Sequence, residues 1–109
     1  MSPLFRQLPH YYNPGMELHG LQELMHSLYK DRDAARGRDA TFRWLTEEIG
    51  ELAQALRKGD RSDITHEFGD ALAWLASLAN LEKIDLDEAV ERYADGCPKC
   101  GLTPCDCPV

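Results

Sequence analysis

Two apolar stripes with one rhythm, either side of a Gly-Asp pair, constrain this chain more than any other feature. Phe42, Leu45, Ile49, Leu52 and Leu56 advance in alternating steps of three and four. Ile64, Phe68, Ala71, Leu75 and Leu78 repeat the pattern after Gly59-Asp60. Such steps place side chains on one face of a helix. The spacing predicts helices over about 40–58 and 63–82, each with an inward stripe. Gly59 suits the end of the first, and Ser62 is a candidate N-cap for the second. So short a connection makes the two helices antiparallel neighbours.

The rest of the chain reads around that hairpin. Residues 1–15 carry Pro3, Pro9 and the Pro14-Gly15 breaker and read as an irregular arm. Leu18, Leu21, Leu24 or Met25, and Leu28 predict a helix over about 16–31. The charged stretch Asp31 to Asp39 reads as a loop or frayed end, with Gly37 inside it. Asp85 followed by Glu88 resembles a capping box for a fourth helix, about 86–95. No alternation of strand type is present, so the class is all-α. The expected architecture is an antiparallel four-helix bundle over 16–95, with a separate Cys-rich tail over 96–109. At 109 residues this is one small domain, and oligomerisation is expected to complete its core. The net charge of −7 argues against binding a nucleic-acid polymer. No signal-like or membrane-spanning run is present, so the chain reads as cytoplasmic, with no membrane partner.

Chemistry enters with two carboxylate pairs. Glu48-Ile-Gly-Glu51 and Glu67-Phe-Gly-Asp70 are each spaced i, i+3, with 15 residues between them. Residues three apart are neighbours on a helix. At roughly 100° per residue, Glu51 falls about −60° from Glu48, and the apolar stripe about +40° to +120°. Asp70 and the second stripe stand in the same relation to Glu67. Both pairs therefore sit on the same shoulder of their stripes, at similar distances from the turn, and face each other. Four carboxylates so placed repel unless a cation separates them. They suit a hard divalent metal such as Mg²⁺ or Mn²⁺. Trp44, one turn before Glu48, and Trp74, one turn after Asp70, fall on one side of the cluster. They offer an aromatic wall on which a base can stack beside its phosphates. A solvated face is the plain alternative for the carboxylates, and a core or interface role for the tryptophans.

The segments TEEIGELAQAL and HEFGDALAWLASLA resemble the MazG-like all-α nucleoside triphosphate pyrophosphohydrolases over about residues 17–95. The resemblance rests on ExxE, a spacer and ExxD, in their GEL and GD contexts. It implies hydrolysis of a nucleoside triphosphate to the monophosphate and pyrophosphate with Mg²⁺ or Mn²⁺, in a homodimer or homotetramer. By position, Glu48, Glu51, Glu67 and Asp70 carry over as metal ligands, and Glu47 as a candidate base for the attacking water. Lys30, Arg32, Arg36, Arg38 and Arg92 are candidates for phosphate oxygens, against the plainer reading of surface charges. Trp74 and Asn80 are candidates for the base site. The resemblance names no preferred base.

Cys97-Pro-Lys-Cys100-Gly and Cys105-Asp-Cys107 lie outside that pattern. The first half resembles a zinc knuckle, and four thiolates suit a closed structural Zn²⁺ site. A disulfide or redox role, or an iron–sulfur site, is the alternative. Two other enzyme readings stay open. One is a phosphoribosyl-ATP pyrophosphatase-like enzyme, disfavoured because ALAWLASLANL lacks the histidine common there. The other is a di-iron bundle, for which Glu23-Leu-Met-His26 supplies one Glu-x-x-His and Asp63-Ile-Thr-His66 only an approximate second. A non-catalytic, zinc-tailed helical interaction module is the last.

Overall fold

Glycine and aspartate set the boundaries of the helices. The computed structural model describes residues 17–109; the expected arm over 1–15 lies outside them. Helix α1 spans Leu18–Arg36, α2 Arg38–Lys58, α3 Arg61–Leu81 and α4 Leu86–Val90, followed by a 3-10 turn over Glu91–Tyr93. No strand occurs among the described residues. The fold is all-α, as the stripes predict.

Three boundaries differ from the sequence reading. The charged stretch is helical: α1 runs to Arg36, and Arg36 donates to Asp33 one turn back at 2.8 Å. The helix stops at Gly37, whose φ of 82° is open to glycine and whose N–H reaches the Asp33 carbonyl at 2.9 Å. Asp60, not Ser62, caps α3. Its carboxylate accepts from the Ser62 and Asp63 N–H groups at 2.9 and 3.1 Å. The fourth helix has only five residues before it tightens into the 3-10 turn. Asp85 does cap it, accepting from the Asp87 N–H at 2.9 Å.

Helix α3 is the central element and packs against both α2 and α1. The fully covered apolar core is small: Met25, Ala55, Ile64, Ala76 and Ala79. A buried amide clamp fastens the far end. Gln22 donates to Asn80 Oδ1 at 3.1 Å and to the Ile84 carbonyl at 2.8 Å, and accepts from the Leu86 N–H at 2.8 Å. Asn80 in turn donates to the Gln22 carbonyl at 2.9 Å. Four hydrogen bonds thus tie α1, α3 and the start of α4.

The expected inward stripes are only partly inward. Leu45 and Leu52 are half-buried, but Phe42, Ile49, Leu56, Phe68 and Leu75 are each 41–55% exposed, as is Leu72 beside them. The wheel explains the difference. On α2 the buried residues Thr41 and Ala55 lie within roughly 20° of Glu48, so the seam with α3 centres on the carboxylate itself. The outer half of the stripe, at roughly +80° to +120°, turns away from the seam. In an antiparallel pair the outer halves of both stripes emerge on one side. Helix α1 lies on the other.

Candidate active site

The sequence of α2 puts Glu48 where an aliphatic residue would normally pack, and α3 puts Glu67 opposite it. Glu48, Glu51 and Glu67 each bring a carboxylate oxygen within 4.8 Å of the others. Glu67 also belongs to a second group with Asp70 and His66, and His66 Nε2 lies 3.1 Å from Asp70 Oδ2. Glu67 therefore links all four predicted ligands into one acidic cluster across the seam.

Two oxygens in that cluster are orphans. Oε2 of Glu48 and Oε2 of Glu67 are buried with no hydrogen-bond donor. A buried unpaired carboxylate oxygen is costly unless a proton or cation meets it. Glu48 feels this most: its carboxyl is raised from the ordinary range to about 7. Lost hydration is the largest cause, followed by the charges of Glu51 and Asp70, with Glu67 adding a proton-sharing contact and its charge. An all-oxygen, strongly anionic donor set with unfilled lone pairs fits a hard divalent ion. Glu47 faces solvent on α2, beside Glu51 and Arg57 in a shallow groove.

On the α1 side the cluster opens into a cavity of about 310 Å³. Asp70 stands on its wall with Trp74, Ala73 and Ser77 from α3, and Met25, Tyr29, Arg32, Asp33 and Arg36 from α1. The two tryptophans, expected only on one side of the cluster, touch: their rings stack with centroids 5.8 Å apart and planes 12° apart. The Arg36 guanidinium lies 4.6 Å from the Trp74 ring centre. It is held there by Asp33, which is buried, and by Thr41 Oγ1 at 3.3 Å. Trp74 is thus an aromatic wall with a fixed cation against it.

The remaining candidates stand elsewhere. Lys30 is on the exposed side of α1, in a groove with His26 and Asp31. Arg38 is drawn to Glu82 and Asp39 at 3.4 and 3.5 Å. Arg92 lies 5.0 Å over Tyr93 and donates to its hydroxyl at 3.2 Å. Asn80 spends its amide in the clamp with Gln22. None of these four lines the cavity beside Asp70. The basic residues that do are Arg32 and Arg36. Asp33, Thr41 and Tyr29 are the residues that sequence reasoning missed. The signal for them was the i, i+3 pair Asp33–Arg36, which holds the charged stretch in the helix.

At the C-terminus the four cysteines gather into one nest, with sulfurs all within 4.8 Å of one another. Cys97 is lowered to about 6, first by the Cys100 N–H and then by the Lys99 N–H. Cys100 is lowered by the Asp106 and Leu102 N–H groups. Cys107 is raised to about 11 by sharing protons with Cys105, Cys97 and Cys100.

No described helix is long and apolar enough to cross a membrane. A search of the curated proteins finds none that matches the chain. The family model of the MazG nucleotide pyrophosphohydrolase domain matches residues 36–99, more than half of the sequence and all four clustered carboxylates. By that match, and by the helical hairpin that carries the carboxylates, the chain belongs to the MazG nucleotide pyrophosphohydrolase family.

Proposed function

We propose that the protein hydrolyses a nucleoside triphosphate to the monophosphate and pyrophosphate with Mg²⁺ or Mn²⁺. The observation that carries this reading is the pair of buried, orphaned oxygens on Glu48 and Glu67, two carboxylates that meet across the α2–α3 seam. Glu48, Glu51, Glu67 and Asp70 would hold the ion. When bound, it neutralises triphosphate charge and makes water a better nucleophile.

The protein's own residues do the rest. Asp70 stands where cluster and cavity meet, so a triphosphate on the carboxylates directs its nucleoside into the cavity. Trp74, stacked on Trp44 and carrying the Arg36 guanidinium, forms the aromatic wall of the cavity against which a base packs, and Arg36 presents a fixed guanidinium to phosphate oxygens. Glu47, on the open side of α2, accepts the proton of the water that attacks the α-phosphorus. Of the five basic candidates along the chain, Arg32 and Arg36, rather than Lys30, Arg38 and Arg92, are the phosphate partners nearest the cluster.

A second copy covers the apolar face left by Phe42, Ile49, Leu56, Phe68, Leu72 and Leu75. Two antiparallel hairpins packed face to face make a four-helix bundle, and exposed apolar area of this extent on a soluble domain marks an interface. The tail cysteines hold a separate structural zinc with no part in the reaction. Four free thiols suit a reducing cytoplasm.

The test is a panel of canonical and modified nucleoside triphosphates incubated with the protein and Mg²⁺ or Mn²⁺, with monophosphate and pyrophosphate measured. Glu48→Gln and Asp70→Asn run beside the wild type. Both are expected to keep the helical fold and lose at least about a hundredfold in kcat/KM, on the order of 3 kcal/mol. Full activity in either variant removes that residue from the site. No pyrophosphate from any substrate would instead favour the non-catalytic reading.

A further inference from the structure

The tail has a defined shape and no core to account for it. None of residues 96–109 is buried. Leu102 is 51% exposed, and Val109 projects into solvent. A segment of this length without apolar burial does not overcome its chain entropy unaided. Yet its backbone is tightly closed. The Gly101 N–H reaches the Cys97 carbonyl at 2.7 Å, and the Cys97 N–H reaches the Leu102 carbonyl at 3.1 Å. Gly96, at φ 113°, lies so close beneath Thr103 that an added Cβ would sit 2.8 Å from its Oγ1.

The order centres on sulfur. Cys97 and Cys107 Sγ atoms are 3.7 Å apart, and those of Cys100 and Cys105 are 4.0 Å apart. A disulfide needs about 2.05 Å. Four thiolates at about 2.3 Å from one tetrahedral zinc stand about 3.8 Å from one another. The observed spacings match the tetrahedron and not the disulfide. An iron–sulfur cluster would spread its cysteines over different irons. Backbone N–H groups point at the sulfurs as they do around bound thiolates: Asp106 to Cys100 at 3.4 Å and Cys107 to Cys105 at 3.3 Å.

We infer that residues 96–107 form a zinc-nucleated knuckle, folded only when one Zn²⁺ is held by Cys97, Cys100, Cys105 and Cys107, and folding independently of the helical bundle. This rests on the zinc reading and adds that the ion is the tail's core. Four Zn–S bonds form, and the protons of those cysteines that are still thiols pass to solvent; no electron moves. Binding free energy becomes folding free energy for the tail alone. The bundle does not share it, since its buried residues all lie between Gln22 and Ala79. Soft thiolates and hard carboxylates also keep the two metals apart.

The experiment uses the full chain. Metal content by plasma mass spectrometry is expected to show about one zinc per chain, retained in Glu48→Gln and lost in Cys100→Ser. Cobalt(II) in place of zinc is expected to give the charge-transfer and d–d bands of a tetrahedral tetrathiolate. Hydrogen exchange then separates the two claims. Removing zinc with a chelator should abolish amide protection over 96–107 and leave α1–α3 unchanged. Metal-free protein, disulfides by mass, or iron in place of zinc would overturn the site. Bound zinc with unchanged tail protection after its removal would leave the site standing and overturn the nucleation claim.

Discussion

A glutamate that has lost hydration and gained three like-charged neighbours is a stability liability until a cation arrives. Glu48 is that residue, with its carboxyl raised from 4.5 to about 7. The folded state binds the proton more tightly than the unfolded chain does. Stability from this group is therefore full below about pH 4.5 and lost as the pH rises through about 7. Without divalent metal, the melting temperature is expected to fall between those values, and Mg²⁺ at pH 8 to restore it by a few degrees. In Glu48→Gln both effects should shrink together in a thermal melt series. Glu47→Gln is expected to lower kcat by about a hundredfold or more while Mg²⁺ still raises the melting temperature. Equal loss of the Mg²⁺ effect would make Glu47 a ligand instead. At this scale the sequence was readable where spacing alone decides position, as for the four carboxylates and the side on which both tryptophans lie. It was not readable where a partner from another helix decides. Arg36 and Arg38 are two residues apart and equally charged, yet Asp33 and Thr41 turn one to the cavity while Glu82 draws the other to the surface.

Among the elements, α3 carries Glu67 and Asp70 of the cluster, and two devices hold it. Asp60 closes the N-terminal turn, three residues from Asp63 and about two turns before Glu67. Asp60→Ala is expected to cost about 1 kcal/mol in chemical denaturation. At the other end, Gln22→Ala leaves the Leu86 N–H and the Asn80 amide short of partners, and is expected to cost about 2 kcal/mol. Both should leave KM within about twofold, because neither residue lines the cavity. A large rise in KM for Gln22→Ala would return Asn80 to the base site. The Gly59 stop and the antiparallel hairpin were legible from composition and spacing. The continuation of α1 to Arg36 was not, because charge and a nearby glycine read as loop while an i, i+3 ion pair kept the helix. The clamp escaped for a different reason: its two amides are 58 residues apart, and no local pattern joins them.

For the molecule as a whole, the misread part of the stripes is the informative part. Phe42, Ile49 and Leu56 are spaced for a helix face, but their stripe cannot say whether that face meets its own chain or another. The structure leaves it open, and with Phe68 and Leu72 it forms one apolar surface. Wild-type protein is expected to scatter light as two or four chains. Ile49→Glu with Phe68→Glu should give the 12.3 kDa single chain. A wild type that is monomeric at high micromolar concentration would refute the second-copy reading without touching the carboxylate site. The central claim, that carboxylates across the α2–α3 seam direct water to the α-phosphorus, has its own measurement. The reaction is run in ¹⁸O-water with Mg²⁺ and a nucleoside triphosphate substrate, and the products are resolved by mass. The account predicts label in the monophosphate, unlabelled pyrophosphate, and loss of both products in Glu48→Gln. Label in pyrophosphate, release of inorganic phosphate as first product, or undiminished turnover in the variant would contradict it.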